Sequence, residues 1–308
     1  MLMWIFILES YLNATQGFET INDFLRYGFS CASRAPLYYG HGTDNAWDDV
    51  RALVLGSLSL PYDYDPSLWS ARLTLDEKKH LAMQLFLRIE ERIPVPYLTQ
   101  EALFCGLSFY VDERVLIPRS PISELIMNQF EPWVKPEKVH RILDLCTGSG
   151  CIAIACAYAF PEAMVDASDV SFDALSVAAI NCERHDMGEQ VNLIQSDCFD
   201  AIPSCRYSLI VSNPPYVGSE EMQTLPAEYD HEPVLALETE DEGLAIVDKI
   251  LQLAHDYLED DGVLVVEVGN SEDALIAAYP HLPFTWIAFE RGGHGVFVLT
   301  AEQLRQAS

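Results

Sequence analysis

Positive charge is scarce in this chain: 18 lysines and arginines stand against 47 aspartates and glutamates, a formal net charge of −29. So acidic a surface repels phosphate backbones and anionic lipid headgroups. Nucleic-acid binding would need a local basic patch, and no Lys/Arg run supplies one. A basic protein partner is attracted instead. Long apolar runs are missing too. Hydrophobic residues make up 50% of the 308, yet they come in runs shorter than the roughly 18 to 20 residues that span a bilayer. Residues 1–8 are wholly apolar, but they lack a positive leading segment and a small-residue cleavage site. They read as a helix start, or as the product of a start codon placed too far upstream, rather than as a signal peptide. None of the eight cysteines forms a C-x-x-C pair, which argues against a zinc site. Reduced core thiols in a cytoplasmic protein are the simplest account. No internal repeat or low-complexity segment occurs.

What is present is a change of rhythm along the chain. Residues 21–27, 46–58 and 75–92 place apolar side chains at helical spacing, most clearly Leu81, Leu85 and Ile89. Thr74 followed by Glu77 predicts a capping box, and Pro94 and Pro96 predict the stop. Residues 97–119 have strand character with a turn expected at Asp112-Glu113. From His140 onward strands and helices alternate. Strands are expected at 141–146, 164–170, 191–195, 209–212 and 263–268, with helices at 151–160 and 172–185. Residues 284–289 and 296–299 form a closing antiparallel pair. Such alternation predicts an α/β fold with a mostly parallel sheet covered on both faces. The expected organisation is a helical domain over 1–96, a β-hairpin connector over 97–120, and a catalytic domain over 121–308.

Two segments carry chemistry. In the first, Asp144-Leu145-Cys146-Thr147-Gly148-Ser149-Gly150 ends a strand and opens a helix, where glycines allow close backbone approach to a ligand and the helix start offers unpaired N–H groups. The spacing is not the G-x-G-x-x-G of dinucleotide enzymes. It looks like the D-x-G-x-G-x-G loop of class I, Rossmann-like methyltransferases, with Cys146 at the first glycine position. Asp169 ends the next strand at the offset where an acid meets ribose hydroxyls. Asp197 and Cys198 end the third, where that class contacts adenine. Asp144, Asp169 and Asp197 are the acids expected to bind the cofactor; the alternative is that they only cap helices.

The second segment, Asn213-Pro214-Pro215-Tyr216, follows the fourth strand. Two prolines leave carbonyls with no N–H donors beside them, and the Asn213 oxygen adds a further acceptor. Together they can hold both hydrogens of an –NH2 group, and Tyr216 offers a flat face to a planar amide or base. Asn213, Pro214 and Tyr216 are the expected catalytic group, with Pro215 as a substrate contact. A Pro-rich turn is the alternative reading.

The chain resembles the protein-glutamine N5-methyltransferases, and most closely their ribosomal protein uL3 branch. The closer likeness lies in Tyr39-Gly40-His41-Gly42 and the residues after it to Asp48, in 109–121, in 144–151, and in Glu228-Tyr229-Asp230-His231-Glu232-Pro233. It runs from about Ile21 to the C-terminus. Release-factor methyltransferases differ, with Gly in place of Cys146 and an acidic Pro-Glu-Thr-Glu where this chain has Ser120-Pro121-Ile122. Asp230 departs from the pattern, since relatives are expected to carry a basic residue there. The resemblance implies a seven-stranded methyltransferase sheet with a closing antiparallel strand. It implies S-adenosyl-L-methionine as cofactor, held by Cys146, Thr147, Gly148, Ser149, Gly150, Asp169, Cys198 and Asn213. It implies a uL3 glutamine as substrate, contacted by Asn213, Pro214, Pro215 and Tyr216. A release factor, or the amino group of adenine in a nucleic acid, is the alternative substrate. His41, Asp44, Asn45 and Trp47 are open to two readings, a turn with a helix cap or a docking site for the substrate.

Overall fold

The computed structural model describes residues 2–307. They form two compact units: one holds the chain up to Glu101 together with Pro226–His231, the other holds Ala102–Leu225 and Glu232–Ser308. No helix among the described residues is long and apolar enough to cross a membrane.

The first unit is helical, with helices Leu2–Ala14, Ile21–Ala32, Ala46–Ser57, Leu75–Ile89 and Val95–Thr99. The expected capping box is there: the Thr74 hydroxyl accepts from the Glu77 N–H while the Glu77 carboxylate accepts from the Thr74 N–H. Thr20 and Asp23 make a second one. Leu81, Leu85 and Ile89 are buried with Phe24, Leu25, Leu53 and Phe86. Strand character was expected from residue 97, but 95–99 is a short helix. Proline fits a first helical turn, whose N–H groups have no partner in any case.

Arg88 is only 2% exposed and is met by two carboxylates. Its Nε lies 2.8 Å from Asp49 and its Nη1 3.2 Å from Glu228, while Nη2 donates to the Tyr38 carbonyl. Glu228, fully buried, also accepts from the Tyr38 N–H at 2.9 Å. His231 reaches the Glu91 carbonyl at 2.8 Å. The 226–231 segment is thus fixed within the helical unit by buried charge.

The second unit opens with a hairpin, β1 (Ala102–Phe104) and β2 (Leu107–Phe109). Its turn is Cys105-Gly106, not the expected Asp112-Glu113. Both turn residues take positive φ, 51° and 76°, as a two-residue hairpin turn requires. Asp112 is occupied differently, accepting from the Arg114 guanidinium and the Tyr110 hydroxyl. The sheet contains β3 (Arg141–Leu145), β4 (Met164–Asp169), β5 (Val191–Gln195), β6 (Tyr207–Ser212), β7 (Leu258–Glu267), β8 (Thr285–Trp286) and β9 (Val296–Thr300). Their order is β5-β4-β3-β6-β7-β9-β8. The first five are parallel, and β9 runs against both β7 and β8. This is the mostly parallel seven-stranded sheet with a closing antiparallel strand that the sequence implied.

Strand residues alternate between two cores: Leu209 and Val211 pack on one face, Ile210 on the other. Burial on both faces explains why these strands read as unbroken apolar runs. The order reverses between β3 and β6, and in open α/β sheets ligands bind in the crevice outside the carboxyl ends of strands at such a point.

Candidate active site

The carboxyl ends of β3, β4, β5 and β6 surround an open cleft of about 1060 Å³. Its wall includes Cys146, Thr147, Gly148, Ser149, Asp169, Asp197, Cys198, Asn213 and Pro215. Nine of the residues singled out from sequence therefore meet at one cleft, although they come from four strand ends.

The loop after β3 is shaped by two carboxylates. Asp169, at the end of β4, accepts from the Gly148 N–H and the Ser171 N–H, both at 2.9 Å. Burial pushes its carboxyl up, against the pull of these N–H groups. Each oxygen retains further acceptor capacity. Asp144 behaves otherwise. It was expected to touch the cofactor, yet it is fully buried and absent from the cleft wall. One of its oxygens accepts from the Thr147 hydroxyl at 2.6 Å and from the Ala153 N–H at 3.0 Å. Asp144 therefore staples the loop to the helix Cys151–Ala159 from behind. Burial pushes its carboxyl up to about 7, even with those two hydrogen bonds pulling down. Gly150 also lies off the wall: it leads into that helix and sits against Ala178. Burial raises the Cys146 and Cys198 thiols, and both side chains belong to residues of the cleft wall. Asp197 faces solvent, 48% exposed, and pairs with Lys249 at 3.0 Å.

At the end of β6 the Asn213 oxygen is buried and has no hydrogen-bond partner among the described residues. A buried acceptor left unmatched costs free energy, so one that persists beside a cleft points to a ligand donor. The Ser149 hydroxyl shares this condition. Pro214 and Tyr216 are not part of the cleft wall. The Tyr216 hydroxyl donates to Glu267 at 2.8 Å, and its carbonyl accepts from the Ser271 hydroxyl at 2.9 Å.

Several further residues shape the site without having been assigned a role from the sequence. Arg119 lines the cleft and makes a two-pronged contact with the buried Glu232, whose carboxylate also accepts from the Ile117 N–H. Asn181, fully buried, bridges the Ser149 carbonyl and both backbone groups of Tyr110. The exposed Leu235 and the half-buried Ile246 add apolar wall. These partners lie tens of residues apart, so spacing could not reveal them. The residues after the Tyr-Gly-His-Gly segment do include a helix cap. Asn45, not Thr43 or Asp44, caps the next helix by accepting from the Trp47 and Asp48 N–H groups. His41 is buried against Tyr229, and Trp47 packs on Phe29 and Trp69.

Comparison with known proteins gives a consistent picture. Residues 122–228 match the family model of the methyltransferase small domain. A ribosomal protein uL3 glutamine methyltransferase of Francisella tularensis is 44% identical over 93% of this chain and 91% of its own. One from Neisseria meningitidis is 48% identical over 94% of this chain and 96% of its own. Among solved structures, the hMettl16 catalytic domain in complex with MAT2A 3′UTR hairpin 6 aligns with a TM-score of 0.50 at 16% identity. That alignment covers 70% of this chain and 78% of the other, a likeness of fold alone.

Proposed function

This chain belongs to the ribosomal protein uL3 glutamine methyltransferases, and from that footing we propose that it transfers a methyl group from S-adenosyl-L-methionine to the side-chain amide nitrogen of a glutamine in uL3. The observation that carries the reading is the buried, unpartnered Asn213 oxygen, beside two prolines and on the same cleft as the Cys146–Ser149 loop.

The cleft suits that cofactor. Asp169 has lone pairs for ribose hydroxyls, and the Ser149 hydroxyl is buried without a partner. Cys198, Ile152 and Ile246 give an apolar wall for a flat base. When bound, S-adenosyl-L-methionine supplies a methyl carbon made electrophilic by the adjoining sulfonium.

The protein's own part is to make an amide nitrogen reactive and to aim it. That nitrogen is a poor nucleophile because its lone pair is shared with the carbonyl. The Asn213 oxygen accepts one amide hydrogen, and the proline carbonyls are the only polar backbone groups of Pro214 and Pro215. Acceptors on both hydrogens favour density on nitrogen and hold it in line, so alignment and preorganised electrostatics provide the acceleration. The methylated nitrogen, acidic until it sheds a proton, can lose it afterwards, and the transfer step needs no strong base.

The test is direct. Methyl-labelled S-adenosyl-L-methionine is supplied with purified uL3, a release factor and nucleic acid in separate reactions. Label in one glutamine of uL3, located by mass spectrometry, is expected. Label confined to the release factor or to a nucleic acid would replace the substrate assignment.

A further inference from the structure

Tyr216 sits in an unusually complete seat. Its hydroxyl donates to Glu267 at 2.8 Å, and its carbonyl is held by Ser271. Its ring lies so close to Gly269 that a Cβ there would stand 2.5 Å from a ring carbon, at a φ of +45° that favours glycine. The Gly269 backbone is in turn pressed by Gly295, with no room for a side chain on the latter. Glu267 ends β7, opposite Val296 of β9, and is 5% exposed. Its other oxygen accepts from the Ser120 hydroxyl at 2.5 Å, and Ser120 itself accepts from the Ile122 N–H. Ser120 is on the cleft wall, next to Arg119. One buried carboxylate thus joins the cleft wall to the tyrosine of the target motif.

We propose that Glu267 is a positioning residue for methyl transfer, acting through the Tyr216 hydroxyl to set the orientation of the ring against the target amide and, through Ser120, to keep that orientation in register with the cofactor cleft. This rests on residues 213–216 being the amide seat. A ring held only by packing could tilt about its own axis and about χ1. A hydroxyl bonded to a carboxylate anchored on a central strand removes that freedom, and hydrogen bonds to a charged acceptor are the stronger kind. Serine at 120 fits the role, since a small hydroxyl can donate to Glu267 and accept from Ile122 at the same time.

The experiment measures kcat, the KM for each substrate and the thermal midpoint for Tyr216→Phe, Glu267→Leu, Glu267→Gln and the Tyr216→Phe/Glu267→Leu pair. Tyr216→Phe and Glu267→Leu should each lower kcat by about tenfold, the scale of one hydrogen bond to a charged group, with the KM for S-adenosyl-L-methionine unchanged. The pair should be no worse than either single change, because both remove the same bond. Glu267→Gln keeps an acceptor for Tyr216 and the shape of the site, so it should recover most of the lost kcat and leave the thermal midpoint near the parent. Losses that multiply in the pair, or an unimpaired kcat in Glu267→Leu, would overturn the proposal. Asn213→Ala serves as the reference. If it is inactive while the Glu267 and Tyr216 variants are normal, only the positioning role fails. If it too is fully active, the amide seat itself is wrong.

Discussion

Replacing Asn213 by Ala removes one acceptor and leaves the rest of the cleft wall in place, so it separates amide positioning from cofactor binding. The expected result is a fall in kcat of about a hundredfold or more, comparable to loss of one preorganised catalytic hydrogen bond, with cofactor affinity by calorimetry nearly unchanged. Near-normal turnover would remove Asn213 from the reaction. Asp169→Ala should act the other way, weakening cofactor binding by about 1.5 to 3 kcal/mol in calorimetry. Part of that loss would come from the loop, since Gly148 would lose its acceptor. Single residues were legible in the sequence where backbone chemistry singles them out, as at Cys146-Thr147-Gly148 and Pro214-Pro215. Glu267 and Asn181 were not, because an isolated polar residue in an apolar segment looks the same whether it faces water or binds a partner 147 or 71 positions away. Asp144 shows the converse: its motif position was recognised, but only the fold reveals that one of its oxygens holds Thr147 and the start of the following helix.

The strand–loop–helix element around Asp144 carries a pH signature. A carboxyl raised to about 7 in the folded state is still protonated there at pH values where the unfolded chain has already lost the proton. Folding then takes up a proton between about pH 4 and 7, and stability falls as pH rises through that window. The contribution is fully present below the unfolded value near 3.8 and is lost above about 7. Asp144→Asn keeps an acceptor for Thr147 and Ala153 but cannot ionise, so its thermal midpoint should decline less between pH 5 and 7 than that of the parent. Identical slopes would show that Asp144 does not titrate there. Among the helices, the 226–231 segment allows a second test. Glu228→Ala strips one of the two carboxylates from the buried Arg88 and frees the Tyr38 N–H. A loss of about 3 kcal/mol in urea unfolding is expected, the lower range for an uncompensated buried charge. A loss below about 1 kcal/mol, the value of an exposed pair, would show the cluster to be solvated. Elements were read well where a period exists: the helices at 21, 46 and 75 and the strands of the parallel sheet fell within a few residues of their expected bounds. The helix Val95–Thr99 and the Cys105-Gly106 turn escaped because so few residues cannot display a period, and the longer helix Ala245–Tyr257 was not anticipated either.

For the molecule as a whole, a net charge of −29 makes encounter with a basic protein substrate sensitive to ionic strength. Raising salt through the physiological range should lower kcat/KM for uL3 while kcat at saturating substrate changes little, since screening weakens long-range attraction and not contacts already made. A salt-independent kcat/KM would mean that association owes nothing to charge. The division of the chain also differs from a simple head-and-body order, because the helical unit includes Pro226–His231 from deep in the second half. That has a consequence for how the protein is made. Arg88 leaves the ribosome with Asp49 already available, but its second counter-charge, Glu228, is encoded 140 residues later. At roughly 5–20 residues per second, the interval is about 7 to 28 s. Throughout it the leading helices exist as a nascent chain whose buried cation lacks one of its carboxylates, so their final consolidation waits for β6 and the segment beyond it. Vectorial synthesis thus holds back the first-translated unit of this enzyme until His231 has been made, although all its other residues are in place by Glu101.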